Sequence, residues 1–203
     1  MWDIQTMRIG LISDTHIPEA MPQLWPQAHA AFVGCDAILH AGDIYDISVI
    51  DELHLVAPTW ACRGNGDDGS SGRDVQPDHP QLAEHWIQEL GGLRIGLTHH
   101  LPIPEMKHYG VATALERHFG ADHGLDVCIY GDTHVEHIST VAGVLCVNPG
   151  SPTYPHNLEV QFGTVGYLDI VDNGDGPSAE ASIWRLTETS VEPFDWDTWG
   201  RPW

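Results

Sequence analysis

The sequence predicts an α/β protein in which two β-sheets pack face to face and helices cover their outer surfaces. Residues 7–62 alternate apolar strands with helical patterns, which is typical of parallel strands joined by crossover helices. The rest of the chain is dominated by short apolar stretches separated by turns. The 203 residues are enough for one compact domain with a sizeable core, and we expect a single domain over 1–203.

The alternating half follows from the spacing of its apolar residues. Short apolar runs that end in polar, glycine-containing turns predict strands, and apolar residues at helical spacing predict helices. In chain order we expect strand 7–13, helix 22–33, strand 36–40, helix 46–56 and strand 59–62. Residues 67–80, rich in Gly, Ser, Asp and Pro, then form a loop.

The second half is expected to be a strand meander that packs against the first. Residues 82–90 and 93–98 should form a hairpin across Gly91-Gly92, and 109–119 should form a helix. Further strands are predicted at 125–130, 135–140, 144–147, 164–171 and 179–186. The tail, 187–203, is acidic and rich in tryptophan, and could either dock on the surface or mediate self-association.

Composition limits the classes of function. A formal net charge of −21 argues against nucleic-acid polymers and anionic membranes as partners, since both need a cationic surface. With eight Lys and Arg in total, metal ions are the natural receptors for a phosphate substrate, and fourteen histidines could help to hold them. The four cysteines form no C-x-x-C pair, which indicates buried free thiols in a reducing compartment. No apolar run could span a bilayer and no secretory signal is evident, so we expect a cytoplasmic protein.

Candidate metal ligands follow predicted strands at five places along the chain. The carboxyl ends of neighbouring parallel strands form the ligand crevice of an α/β sheet. In extended chain, the D-x-H spacing also puts both side chains of a pair on one side. Each piece alone is common by chance, but the ordered set is not. The candidates are Asp14, His16, Asp43, Asn65, His99, Asp132 and His134.

This ligand set predicts two metal ions rather than one. Seven ligands that bind through oxygen or nitrogen are too many for one tetrahedral zinc. They suit two ions about 3.5–4 Å apart with a bridging carboxylate, the arrangement used for phosphoryl chemistry. Mixed carboxylate and imidazole ligands allow Mn, Fe, Ni or Zn, and do not choose among them.

The order D-x-H, G-D, G-N, T-H and G-x-T-H, followed by N-P-G-S at 148–151, resembles the calcineurin-like metallophosphoesterase family. Within that family the chain looks like the small bacterial and archaeal phosphodiesterase branch, over a motif core of 7–151. The resemblance implies a four-layer αββα sandwich with two mixed β-sheets, and in-line attack on phosphorus by a metal-bridging hydroxide. It also implies a first metal on Asp14, His16 and His134, a bridge at Asp43, and a second metal on Asn65, His99 and the residue at 132.

The chain departs from the family pattern at two positions. Asp132 stands where the family usually has His, which keeps a ligand but makes the second site harder and more anionic, and favours Mn or Fe over Zn. Gly66 stands where many relatives have a general-acid His, so the leaving group must be protonated by His100 or by a metal-bound water. We assign Asp43, Asn65 and His100 as catalytic residues, the last two also as substrate contacts.

These observations predict a metal-dependent phosphoesterase, first of all a phosphodiesterase of small phosphate esters with two divalent ions, manganese foremost. A phosphomonoesterase, a mononuclear hydrolase and a non-catalytic scaffold like the family's retromer subunit are the alternatives. A small phosphate ester is the expected partner, with homo-oligomers possible. Residues 67–80 and 101–109 should form the pocket rim. Among the few cations that could meet a phosphate are Arg63, Arg73 and Lys107.

Overall fold

The computed structural model describes residues 5–102 and 110–197, and in it two mixed β-sheets lie face to face. The strands are β1 (Gln5–Ile12), β2 (Ala37–His40), β3 (Thr59–Cys62), β4 (Leu82–Ala83), β5 (Trp86–Leu90), β6 (Leu93–Leu97), β7 (Val127–Ile129), β8 (His137–Val141), β9 (Val144–Asn148), β10 (Thr164–Asp172), β11 (Pro177–Leu186) and β12 (Val191–Pro193). The helices are α1 (Pro26–Ala31), α2 (Ser48–His54) and α3 (Val111–Phe119), with a 3-10 turn at Pro155–Asn157. The predicted sandwich architecture is confirmed.

Each sheet has a parallel centre. The first sheet has the order β12-β11-β10-β1-β2-β3-β4. Strands β1 to β4 are parallel to one another. On the other side of β1, the neighbouring pairs β1–β10, β10–β11 and β11–β12 are each antiparallel. In the second, of order β5-β6-β7-β9-β8, strands β6, β7 and β9 are parallel and the two edge strands antiparallel. The carboxyl ends of five parallel strands, β1, β2, β3, β6 and β7, carry the loops of interest.

Two expectations for the second half are wrong. It is not a separate meander, because β10, β11 and β12 extend the first sheet along the free edge of β1. The stretch 82–90 is also not one strand: Leu82–Ala83 pairs with β3, and only Trp86–Leu90 forms the hairpin with β6. Periodicity shows which face of a strand is buried but not which neighbour it pairs with, and so it missed both features.

Alternation along the strands separates three apolar layers. Ile9, Leu11 and Leu39 point between the sheets and pack against Ile95 and Leu97 of the second sheet. The opposite face of the first sheet packs on α1 and α2, and the opposite face of the second packs on α3. The four layers are thus α1 with α2, the first sheet, the second sheet, and α3.

The described part of the tail docks on the sandwich. β12 pairs with β11, and the Phe194 ring is buried among residues between the sheets. Trp196 is half-exposed, while Trp199 and Trp203 lie outside the described residues. All four cysteines are free, three of them buried. Over residues 5–102 and 110–197, no helix is long and apolar enough to cross a membrane.

Replacing Leu39 with Ala should remove a fully buried side chain from the layer between the sheets. We expect a loss of about 2–5 kcal/mol in the free energy of unfolding, measured by urea denaturation of metal-free protein. Leu55→Ala is the matched control, because Leu55 is 88% exposed and should change stability by no more than about 0.5 kcal/mol. Equal effects of the two changes would contradict the assignment of the core.

Candidate metal centre

The candidate ligands lie in loops that follow the carboxyl ends of the five parallel strands. Backbone hydrogen bonds join neighbouring loops: the Asp14 N–H donates to the Gly42 carbonyl and the Gly131 N–H to the His99 carbonyl, each at 2.9 Å. Another bond crosses between the sheets, from the Asp132 N–H to Asp14 Oδ1 at 3.1 Å. The loops of both sheets therefore meet at one end of the sandwich.

Most of the candidate ligands have a left-handed backbone, which is rare outside glycine and costs of order 1–3 kcal/mol for each residue. The φ angles are 53° at Asp14, 50° at His16, 54° at Asp43, 72° at Asp132 and 57° at His134. The expectation that the two D-x-H pairs lie in extended chain is therefore wrong, because β1 and β7 end before each pair. Tight turns rather than strand alternation direct these side chains into the site.

One group of ligands consists of Asp14, His16 and His134, whose ligand atoms lie within 4.8 Å of one another. His134 Nδ1 donates to the Tyr154 carbonyl at 2.7 Å. Because a carbonyl only accepts, the neutral ring carries its proton on Nδ1 and leaves the Nε2 lone pair 3.6 Å from Asp14 Oδ1. The His16 ring is held by stacking on Tyr45, with centroids 4.2 Å apart. We call this the first group.

A second group consists of Asp14, Asp43 and His99, again with ligand atoms within 4.8 Å of one another. His99 Nδ1 donates to the Ala41 carbonyl at 2.7 Å, so that Nε2 faces the cluster. The side-chain oxygen of Asn65 lies 3.2 Å from that nitrogen. Asn65 therefore joins the second group, as the sequence predicted.

Asp14 is common to the two groups, and the Asp43 carboxylate of the second group also reaches the first. Its Oδ2 is 3.2 Å from His16 Nε2 and its Oδ1 is 3.4 Å from His99 Nε2. The Gly66 N–H also donates to Oδ1 at 2.7 Å, which fixes the plane of the carboxylate. One oxygen thus faces each group, which is the geometry that a bridging ligand requires.

The residues present fit divalent metal ions. Among the described residues, two buried atoms of the cluster lack a hydrogen bond of good geometry: Asp14 Oδ2, and His16 Nε2, which lies 3.2 Å from Asp43 Oδ2. Burial raises the pKa of Asp14 to about 7, against the opposing effect of His99. Burial acts on Asp43 too, but His16, His99 and the Gly66 N–H lower the pKa of that carboxyl to about 2. A bound cation would satisfy the orphaned atoms and compensate the buried carboxylates.

Asp132 lies at the rim of the cluster and outside both groups. Its Oδ1 is 3.7 Å from His99 Nε2, and its Oδ2 accepts a hydrogen bond from His100 Nδ1 at 2.9 Å. Its side chain is 33% exposed, against 6% for Asp43. The structure thus brings all the predicted ligands to one site, with Asp132 shared between the cluster and His100.

Sequence reasoning missed the residue that locks the second group in place. The buried carboxylate of Asp67 accepts hydrogen bonds from the N–H groups of Ile44 at 3.1 Å, Tyr45 at 2.9 Å and Gly64 at 2.9 Å. It therefore ties the loop that carries Asp43 to the loop that carries Asn65. The available signal was the single acid at the end of the run Gly-Asn-Gly-Asp, which the composition of the following loop concealed.

The turn at 148–151 lies beside the cluster and acts through hydrogen bonds rather than as a ligand. Asn148 Nδ2 donates to the Gly131 carbonyl at 2.8 Å, and Ser151 Oγ donates to the Asp14 carbonyl at 2.7 Å. Ser13 Oγ in turn donates to the Gly150 carbonyl at 2.8 Å. These contacts hold the loops of both D-x-H pairs against the turn.

A cleft of about 290 Å³ opens beside the second group. Its walls include Asn65, His99, His100 and His118, with Ser70 from the predicted rim loop at 67–80. Residues 103–109 of the other predicted rim segment, including Lys107, lie outside the described residues.

The two predicted phosphate-binding arginines that the structure describes are engaged by the protein. Arg63 donates to the carbonyls of Gln76 at 2.7 Å and Pro77 at 3.2 Å, and its side chain is only 8% exposed. Arg73 forms an ion pair with Glu19, and its guanidinium lies 3.7 Å from the centre of the Tyr45 ring. Both arginines hold loops around the cluster, and Arg63 also lines the cleft.

Buried carboxylates and imidazoles at the strand ends of an αββα sandwich define the class of metallophosphoesterases. The chain belongs to the calcineurin-like phosphoesterase superfamily, whose domain model matches residues 7–173. It is 34% identical over 149 residues to a probable metallophosphoesterase of Methanothermobacter thermautotrophicus, covering 73% of this chain and 79% of that one. A probable metallophosphoesterase of Methanocaldococcus jannaschii is 33% identical over 151 residues, with 74% and 70% covered.

Solved structures share the fold. The vacuolar protein sorting 29 protein of Cryptosporidium parvum matches with a TM-score of 0.71 at 17% identity, over 92% of this chain and 95% of that one. A structure described as a novel archaeal phosphodiesterase matches with a TM-score of 0.57 at 24% identity, over 89% and 100%. At these identities the likeness shows the fold alone, while the family match identifies a hydrolase of the phosphoesterase kind that uses divalent metal.

Replacing Gly42 with Ala should damage the cluster directly. The residue has a φ of +87°, and an added Cβ would lie 2.6 Å from His99 Nδ1. We expect a large loss of stability together with loss of bound metal, measured by urea denaturation and by metal analysis of dialysed protein.

Gly34→Ala separates backbone strain from this clash. Gly34 has a similar φ of +89°, but an added Cβ would meet nothing within 4 Å among the described residues. It should cost only about 1–2 kcal/mol and leave the metal content unchanged. The same loss of metal in both variants would contradict the role of Gly42.

Proposed function

We propose that this protein is a phosphodiesterase of small phosphate esters that works with two divalent ions, manganese foremost. The observation that supports the proposal best is the position of Asp43, whose two oxygens face histidines of different groups at 3.2 and 3.4 Å. The first group, Asp14, His16 and His134, would hold one ion. Asn65, His99 and the rim carboxylate of Asp132 would hold the other, with Asp43 shared.

Two bound divalent ions supply a water of lowered pKa and neutralise the charge that develops on the phosphoryl oxygens. The residues of the chain fix where this happens. The Asp43 carboxylate sets the spacing of the two groups, and its plane is fixed in turn by the Gly66 N–H. The side chain of Asn65, at the edge of the cleft, can turn its amide N–H toward a phosphoryl oxygen while its oxygen stays in the cluster.

His100 is placed to contact the leaving group. Its ring lines the cleft, and its Nδ1 donates to Asp132 Oδ2. No hydrogen bond to Nε2 is found within residues 5–102 and 110–197, so this nitrogen is available to the substrate. With both nitrogens protonated the ring is cationic and Asp132 stabilises it; the ring can then hand the Nε2 proton to the departing ester oxygen and become neutral. The cleft beside it suits a small substituent on phosphorus.

A non-catalytic scaffold is the second candidate, because the fold neighbours include vacuolar protein sorting 29 proteins. One of these, from Entamoeba histolytica, is described as complexed with zinc, with a TM-score of 0.62 at 20% identity. Against a scaffold stands the complete ligand set of this chain, with ring tautomers fixed by the Ala41 and Tyr154 carbonyls. A phosphomonoesterase needs a further cationic contact for its extra charge, and both described arginines near the site are engaged.

The acidic surface supports a small phosphate ester as the partner and opposes nucleic-acid polymers and anionic membranes. The free cysteines support a reducing compartment, which for this protein we propose to be the cytoplasm. Homo-oligomers remain compatible with the half-exposed Trp196 in the tail.

Replacing Asp43 with Asn should abolish hydrolysis, because an amide cannot offer two anionic oxygens to two ions. The measurement is the rate on bis(p-nitrophenyl) phosphate with added manganese, compared with p-nitrophenyl phosphate. We expect a fall of at least about 10²-fold for the variant, in the range of lost electrostatic stabilisation, and a wild-type preference for the diester.

Asp36→Asn is the control, since Asp36 directly precedes β2 and its side chain accepts the Arg8 N–H at 2.7 Å. Unchanged hydrolysis by the Asp43 variant would contradict the bridging role. Wild-type protein that binds metal firmly but hydrolyses neither ester would favour the scaffold. Faster turnover of the monoester would favour the phosphomonoesterase.

His100→Ala and Asp132→Ala should separate substrate contact from metal binding. We expect His100→Ala to keep both ions and lower kcat on the diester about 10²- to 10⁴-fold. Asp132→Ala should both lower kcat and reduce occupancy of the second ion, measured by metal analysis. Loss of metal in His100→Ala would show that the ring acts as a ligand, and unchanged occupancy in Asp132→Ala would remove Asp132 from the ligand set.

A further inference from the structure

A buried acid outside the ligand set lies behind the first group. Glu136 is two residues beyond His134, and its side chain is only 2% exposed. One carboxylate oxygen lies 2.7 Å from His156 Nε2, and the other accepts from the Thr164 hydroxyl at 2.8 Å. The His156 side chain is itself only 5% exposed. A carboxylate is buried this deeply only when its oxygens are hydrogen-bonded, so the pair holds both partners firmly.

The pair fastens the segment 151–157 to the loop between β7 and β8 that carries His134. The His156 N–H donates to the His134 carbonyl at 3.0 Å, so the side chain and the backbone of His156 both bind that loop. His156 and Asn157 each have a φ of 56°, in the left-handed region. Such backbone persists only where its surroundings hold it, and the buried Glu136 contacts His156 at 2.7 Å.

The same segment touches every member of the first group. The Tyr154 carbonyl accepts from His134 Nδ1 at 2.7 Å, and the Tyr154 ring lies 6.3 Å from the His16 ring. Ser151 Oγ donates to the Asp14 carbonyl at 2.7 Å, and Thr153 Oγ1 donates to the Thr15 carbonyl at 2.8 Å. Its position therefore sets the direction in which the ligand atoms of the first group point.

We propose that Glu136 and His156 are positioning residues for the first metal ion. Through the Tyr154 carbonyl they fix the tautomer and the orientation of His134, and through the segment 151–157 they hold Asp14 and His16. The second group has its own anchor, because Asp67 ties the loops of Asp43 and Asn65 together. The inference rests on the proposed two-ion site and adds that each ion depends on a different buried carboxylate.

The test is titration of metal-free full-length protein with manganese in a calorimeter. His16→Ala and Asn65→Ala first identify which binding step belongs to which group. Glu136→Gln and His156→Gln should then weaken the first-group step about 10- to 100-fold and leave the second-group step within twofold. The double variant should weaken it no further than either single change, because the two residues act as one unit.

Two matched variants separate positioning from general loosening. Asp67→Asn should weaken the second-group step more than the first, because Asp67 holds the loop of Asn65 as well as that of the shared Asp43. Tyr167→Phe removes a hydrogen bond to the Ala31 carbonyl far from the site. It should lower the melting temperature of the metal-free protein without changing either step.

Unchanged manganese affinity in Glu136→Gln and His156→Gln, with only a lower melting temperature, would reduce the pair to a structural role. Equal weakening of both steps would also overturn the proposal. A wild-type protein that binds one ion would contradict the two-ion site. If His16→Ala weakened binding of that single ion, the manganese affinity of Glu136→Gln would still decide the positioning role. If His16→Ala left its binding unchanged, the positioning role would be overturned as well.

Discussion

The confinement of two buried carboxylates within one cluster is the constraint on which the rest of this structure depends. Asp14 is fully buried and Asp43 nearly so, and burial alone would favour the neutral form of each acid. The imidazoles of His16 and His99 offset part of this cost, and divalent metal offsets the remainder. The surrounding loops are organised to keep this arrangement, with left-handed turns at the ligands and carbonyls that fix the ring tautomers.

Much of the site could be predicted from the sequence, because every ligand directly follows an apolar strand and the topology of parallel strands does the rest. The residues that hold the ligands could not. Asp67 and Glu136 look like ordinary loop acids until the fold buries them beside backbone N–H groups or an imidazole. The order of the strands in the sheets could not be predicted for a similar reason. The sequence of β10 predicts a buried strand, but no local feature indicates that it pairs with β1. Pairing and anchoring are decided by contacts between residues far apart in the chain.

Asp132 shows how a family site can change without being lost. A carboxylate has two oxygens where an imidazole has one lone pair to offer, and here one oxygen faces His99 while the other binds His100. The chain also has Gly66 where many relatives carry a histidine, and an added Cβ there would lie 2.0 Å from the Tyr45 ring. The space that such a histidine would need is occupied by the ring that stacks on His16. The proposed acid His100 comes from another strand end, and Asp132 binds its ring.

The ligands are divided between the two sheets. His99 belongs to a loop of the second sheet, and its ring donates a hydrogen bond to the Ala41 carbonyl of the first sheet. The backbone N–H of Asp132, also in a loop of the second sheet, donates to Asp14 Oδ1 of the first. Ions bound here would be held by loops of both sheets and would join the two sheets at this end of the sandwich. Binding to the folded state alone stabilises it in proportion to the logarithm of free metal concentration. The persistence of the folded protein in a cell, and not only its catalytic rate, is thereby coupled to the supply of metal.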